Sequence, residues 1–175
     1  MYWQSIIIIF SPLVGAVTLL LKDKCTNIAS SIIANLSIGI SMLLSLWLFI
    51  SYISGHNFSE SHTLYTWYAT SGYTFEIGIL ADSLTIIMSF IVTFISFFVH
   101  MYSITYMSGD NSYKRFFIYT NFFTFSMLFI VFSNNFLQLF IGWELVGLSS
   151  YLLIGFWYNK PSAVSANLKA FVVNR

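Results

Sequence analysis

Five long apolar runs, separated by short polar joints, dominate the chain. The first extends from Trp3 to Leu21 and the second from Ile28 to Ile53, neither with a charged residue. A polar and aromatic stretch comes next, from Ser54 to about Ile79. The third run, Leu84 to Tyr106, is interrupted only by His100. The fourth is Phe116 to Phe132, and the fifth, Phe136 to Trp157, encloses Glu144. A helix crossing the hydrocarbon needs about 20 mostly apolar residues, because lipid offers no partner for an unpaired backbone N–H or C=O. Each run fits, the second with length to spare for tilting. The joints Lys22-Asp23-Lys24, Ser108-Gly109-Asp110-Asn111, Ser133-Asn134-Asn135 and Asn159-Lys160-Pro161 carry the residue types that turn a chain. The pattern predicts an all-α integral membrane protein with about five transmembrane helices.

A further helical stretch, Ala163 to Arg175, has 13 residues. That is about 20 Å of helix, against a hydrocarbon core about 30 Å thick. The chain is therefore expected to be part of something larger: a split protein completed by a second polypeptide, or a truncated product. The start, Met1-Tyr2-Trp3-Gln4, lacks a positive n-region and no small-x-small cleavage site comes after it, so the first run is read as a span rather than a cleaved leader. The stretch from Ser54 to Ile79 alternates polar residues with Tyr65, Trp67, Tyr68 and Tyr73, which predicts a short β-like or interfacial element.

Charge orients the helices. With the N-terminus outside, the inner loops 22–27, 107–115 and 158–162 hold Lys22, Lys24, Lys114, Arg115 and Lys160. The outer loops, 54–83 and 133–135, hold Glu60, Glu76 and Asp82 and no Lys or Arg. All five loop cations fall on one side, as the positive-inside rule expects.

Composition narrows the class. Charged residues make up 7% of the chain and hydrophobic ones 58%, whereas soluble domains carry roughly 25% charge. The net charge of +1 gives no basic surface for nucleic acid. One cysteine, Cys25, cannot form an intrachain disulfide, an iron–sulfur site or a C-x-x-C-H haem site.

Glu144 is the sharpest chemical signal. A carboxylate in hydrocarbon is expensive and usually marks an ion or proton pathway. Desolvation raises the pKa of such a group and a nearby cation lowers it, so a moving cation would load and unload a proton. The competing reading is a structural Glu that never titrates. Gly142 and Gly147 flank it and allow close backbone approach. His100 is a candidate proton relay, or an interfacial or helix-contact histidine, with Tyr102 and Tyr106 at the same level as in an aromatic belt. Lys169 suits snorkelling to the inner surface, and Arg175, deeper, suits pairing with an acid outside these residues. Asp82 is placed to cap the third helix. Ser37, Ser41 and Ser45 form a stripe suited to close helix packing.

The segment Gly142-Trp-Glu-Leu-Val-Gly-Leu-Ser-Ser-Tyr-Leu-Leu-Ile-Gly-Phe-Trp resembles the signature of subunit 5 of the proton-pumping NADH:ubiquinone oxidoreductase, respiratory complex I. The likeness extends to His100-Met-Tyr-Ser, Tyr106-Met-Ser, Arg115-Phe-Phe-Ile-Tyr, Ser133-Asn-Asn-Phe-Leu-Gln-Leu-Phe and Lys169-Ala-Phe-Val-Val-Asn-Arg. It covers residues 76 to 175 well and the first 55 by pattern only. Chloroplast-type subunits and the large subunit of multisubunit sodium/proton antiporters share that fold. The resemblance implies three leading helices over 1–106, with outer loop 54–83, and over 107–175 the start of the first antiporter-like helix repeat. It implies that Glu144 works with a lysine of a seventh helix, which this chain lacks. It places the protein among other membrane-arm subunits and lipids, with NADH, FMN, iron–sulfur clusters and ubiquinone held by other subunits and no cofactor or metal here. The mitochondrial inner membrane is the expected site, with the bacterial plasma membrane as alternative. Two other functions stay open: a sodium/proton antiporter subunit and a purely structural membrane-arm subunit.

Overall fold

A computed structural model describes residues 2–22, 26–56, 59–70 and 73–174. Lys24, Cys25 and Arg175 lie outside the described residues. Six helices and one hairpin occur in order: α1 (Tyr2–Leu21), α2 (Asn27–Ile53), β1 (Glu60–Thr70), β2 (Tyr73–Ala81), α3 (Ser83–Tyr106), α4 (Tyr113–Val131), α5 (Phe136–Ile154) and α6 (Pro161–Asn174).

The helices begin where the polar joints end. Thr26 accepts from Ala29 N–H at the start of α2, Asp82 from Thr85 N–H at 2.8 Å, and Asn135 from Gln138 N–H at 2.8 Å. Each satisfies a donor that the first helical turn leaves open. The capping role expected of Asp82 is the one observed. Helix α5 stops at Ile154, three residues short of the expected Trp157. Residues 155–159 turn instead.

Four helices, α1, α2, α3 and α5, are long and apolar enough to cross a membrane. Helix α4 has 19 residues but falls short in apolarity. It runs between the same two ends as α1: Lys114 donates to the Lys22 carbonyl at one end, and Leu80 N–H of β2 donates to the Phe132 carbonyl at the other. It lies against α1, α2, α3 and α5, with Phe117, Asn121, Ser126 and Leu128 fully buried. A helix so enclosed by protein touches little lipid, so it is under less demand for apolar side chains.

The expected serine stripe packs α2 onto its neighbours. Ser41 Oγ donates to the Ile8 carbonyl of α1 at 2.8 Å, and Ser45 Oγ meets Thr93 Oγ1 of α3 at 2.6 Å. In apolar surroundings such bonds and the close approach of small residues hold helices together, since burial from water is not the driving force.

The stretch expected to be β-like is a two-stranded antiparallel hairpin with register shifts between Thr63 and Tyr65 and between Thr66 and Tyr68. It is fastened to the α4–α5 turn. Glu76 Oε1 accepts from Asn134, Glu76 Oε2 from Thr63, and the Glu76 carbonyl from Asn135 at 2.6 Å. Gln138 Oε1 accepts from Gly78 N–H at 2.9 Å. Position 78 has no room for a Cβ, because the Asn134 amide occupies that space.

Candidate functional site

Glu144 sits near the middle of α5, whose start is held by the Asn135 cap and the hairpin. One side of α5 presses on α4 at Gly142, where an added Cβ would lie 3.3 Å from the Ile130 backbone nitrogen. Glu144 lies well round the helix from that contact, by about 200° at 3.6 residues per turn. It falls on the side that meets α6. There the two helices run antiparallel: Gly155 faces Asn167, Tyr151 meets Phe171 edge to face, and Gly147 faces Asn174. In this register Glu144 lies just past the level of Asn174.

The expectation of a buried carboxylate is met only partly, for Glu144 is half-buried. The cause is geometric. Helix α5 is covered by α4 and α6, while Phe136, Phe140 and Trp143 on its remaining side are exposed at 89%, 60% and 53%.

The other candidates lie apart from it. Lys169 is exposed on α6, level with about Leu153. That is nine residues from Glu144, about 13 Å along the axis, so the two are not brought together. His100, on α3, is buried at 2% exposure, beside a groove that α3 and α4 line together with Leu153 of α5. It is enclosed by helices, whereas Tyr102 and Tyr106 are both exposed, with stacked rings.

The described loop cations do gather at one end. Arg115 donates to the Phe156 carbonyl at 3.1 Å and lies over the Phe156 and Tyr158 rings. Lys160 sits over Trp157, whose indole N–H donates to Asp110. The Ser112 N–H, then the Trp157 N–H, hold the Asp110 carboxyl below its ordinary pKa. Glu60, Glu76 and Asp82 lie at the opposite, hairpin end. Sequence reasoning missed the Glu76–Asn134–Asn135–Gln138 knot, although the polar run Ser133-Asn134-Asn135 signalled a turn with something to bind.

A bundle of apolar helices joined at a polar hairpin, with a carboxylate midway along one of them, defines a multi-pass α-helical membrane protein. Residues 133–175 match the family model "NADH:quinone oxidoreductase/Mrp antiporter, TM", and residues 67–117 match "NADH-Ubiquinone oxidoreductase (complex I), chain 5 N-terminus". The chain belongs to the subunit 5 (subunit L) family of NADH:quinone oxidoreductases, and corresponds to the N-terminal part of its members.

Among relatives, NADH-quinone oxidoreductase subunit L of Neisseria meningitidis serogroup B is 43% identical over 172 residues, which cover 97% of this chain and 26% of the relative. The Escherichia coli K12 subunit L is 37% identical over 168 residues, 95% of this chain and 27% of that one. The chloroplastic NAD(P)H-quinone oxidoreductase subunit 5 of Citrus sinensis is 48% identical over 143 residues, 82% and 19% of the two chains. The chain thus spans about a quarter of the length of the curated relatives it matches. A solved archaeal respiratory membrane complex, the membrane-bound sulfane sulfur reductase, contains a chain of the same fold. Its TM-score is 0.71 at 19% identity, over 95% of this chain and 24% of that one.

Proposed function

We propose that this chain is the N-terminal part of a proton-translocating, antiporter-like membrane-arm subunit of NADH:ubiquinone oxidoreductase, with Glu144 as its protonatable channel residue. One observation carries the reading: a carboxylate midway along a membrane helix, turned to the α6 side of α5, inside the segment that matches the antiporter family. An acid midway along a membrane helix is costly to keep, and such acids usually mark ion or proton pathways.

In this reading the lysine that works with Glu144 comes from polypeptide outside these 175 residues. Arg175 pairs with an acid outside these residues, while Lys169 anchors α6 at the inner surface. The cationic end faces inward and the hairpin end outward, in the mitochondrial inner membrane. NADH, FMN, iron–sulfur clusters and ubiquinone belong to other subunits, and this chain moves protons without redox chemistry of its own.

Glu144→Gln in the assembled complex tests the core of this. Proton pumping driven by NADH oxidation is expected to fall by most of its value while the complex still assembles. Undiminished pumping overturns the assignment and leaves Glu144 a structural residue. The antiporter named in the family model suggests a second reading, a subunit of a sodium/proton antiporter. Purification with flavin and iron–sulfur subunits favours the first, and purification without them the second.

A further inference from the structure

A polar cavity of about 430 Å³ opens at the end of the bundle where the described loop cations gather. Its walls are the α3–α4 turn at residues 109–112, the Arg115 side chain and the turn after α5 at residues 156–159. An almost wholly apolar groove of about 360 Å³ runs between α3 and α4 and reaches Leu153 of α5. On its α3 side Ile91, Ile95 and Val99 are exposed at 41%, 58% and 47%, and Phe123 and Met127 line the α4 side. Leu153 stands about one helical turn before Phe156, so the cavity lies at the end of the same three helices that line the groove. An apolar groove that ends in a charged cavity, with the exposed rings of Trp157 and Tyr158 beside the charge, has the polarity of a phospholipid at a membrane interface.

The cavity holds charge of both signs. Arg115 Nε is buried, and Nη2 donates once, to the Phe156 carbonyl at 3.1 Å. The outer end of the guanidinium fork is left for a ligand, and that fork fits phosphate oxygens. Ser112 begins α4 without a side-chain cap bond, so its hydroxyl is free for a further phosphate oxygen. Asp110 accepts one N–H on each oxygen, from Ser112 at 2.7 Å and from Trp157 at 3.1 Å. A carboxylate has about four acceptor sites, so each oxygen keeps room for another donor. The aromatic rings already carry cations: Arg115 lies over Phe156 and Tyr158, and Lys160 over Trp157. A quaternary ammonium, which binds through ring faces, therefore gains less here than a primary ammonium, whose N–H groups the Asp110 carboxylate accepts.

We infer that this end of the α3–α4–α5 crevice binds a zwitterionic phospholipid with a primary ammonium, of the phosphatidylethanolamine kind. Its phosphate sits on Arg115 and Ser112, its ammonium on Asp110, and an acyl chain lies in the groove along Ile95, Val99 and Met127. Charge complementarity selects this headgroup. A lipid whose phosphate is its only charged group satisfies Arg115 and leaves Asp110 with neutral donors, which make weaker bonds. The apolar groove selects a lipid over a free phosphate ester, which has nothing to place there. The site is separate from Glu144, which lies on the α6 side of α5, and does not rest on its assignment.

The test reconstitutes the assembled complex into phosphatidylcholine vesicles that carry a trace of photoreactive lipid. Phosphatidylethanolamine, phosphatidylcholine and phosphatidylglycerol probes bear the same diazirine acyl chain, and labelled peptides are mapped after irradiation. The ethanolamine probe is expected to label the α3 and α4 peptides of the groove about tenfold more than the other two, the effect of one hydrogen bond between charged groups. Asp110→Asn should bring its labelling down to theirs, and Arg115→Gln should lower it as well. The α1–α2 groove lined by Val14 and Leu36 serves as reference, with equal labelling by all three probes. Equal labelling of the α3–α4 groove by the three probes, no labelling there, or an ethanolamine label unchanged in Asp110→Asn overturns the inference. If neither variant assembles, the comparison of headgroups on the unaltered complex decides. Glu144→Gln should leave the labelling unmoved, so the channel assignment and this site stand or fall separately.

Discussion

Around α4, the hydroxyls of Ser37, Ser45, Thr93, Ser96, Thr124 and Ser126 bond to one another or to helix carbonyls, and aromatic rings fill the space between them. Around α5 the neighbours are α4 and α6, and rings such as Phe140 and Trp143 face outward. The first region is closed by the residues of this chain. The second presents an open side, and the ionisable residue matching the antiporter signature sits at its edge. The contrast teaches that a polar group can reside in a membrane for two reasons. In the closed region polar groups join helices, whereas the half-buried carboxylate at the open edge has proton exchange as its proposed use.

The largest expected effect comes from cutting into the closed region. Phe117→Ala removes a fully buried ring and should cost about 3–5 kcal/mol, whereas Phe140→Ala on the open side should stay within about 0.5 kcal/mol in the isolated chain. Denaturant titration of the detergent-solubilised chain, followed by helix content, checks the pair. Equal costs would erase the distinction.

Glycine positions sharpen it. Gly142→Ala drives a methyl toward the Ile130 side chain and backbone, and overpacking of this kind costs about 1–3 kcal/mol. Gly147→Ala meets only the end of the Asn174 side chain, which can swing away. The same titration should therefore place Gly147→Ala well below Gly142→Ala. Asn135→Ala removes a helix cap, worth about 1 kcal/mol, together with the bond to the Glu76 carbonyl. Protease cleavage in the hairpin should quicken.

The smallest effect concerns Asp110. Its folded pKa is held low, so its bonds to Ser112 and Trp157 are intact above the ordinary carboxylate range and are lost as pH falls through the folded value. Acidification should change Trp157 emission, and Asp110→Asn should remove that change.

Much of this fold was legible in the chain. The apolar runs mark the helices within a few residues, the joints supply the caps, and the described loop cations converge at one end. The features that stayed hidden have a common cause. The helices are apolar on nearly every side, so periodicity does not say which face meets protein and which meets lipid. That is why the burial of His100 and the half-burial of Glu144 had to be seen. The alternation of Tyr65, Trp67 and Tyr68 signalled a strand, but not that Glu76 would tie the hairpin to the turn after α4.

The modest apolarity of α4 bears on how the protein is made. A segment too polar to partition well alone enters the bilayer most readily beside helices already there, since its buried face then passes from one polar setting to another. In this chain α1, α2 and α3 are synthesised first, and they are the helices that, with α5, surround it. Order of emergence thus becomes part of the folding code: rearranging the gene so that α4 leads would keep every contact available and still leave the helix without a companion at the moment of insertion.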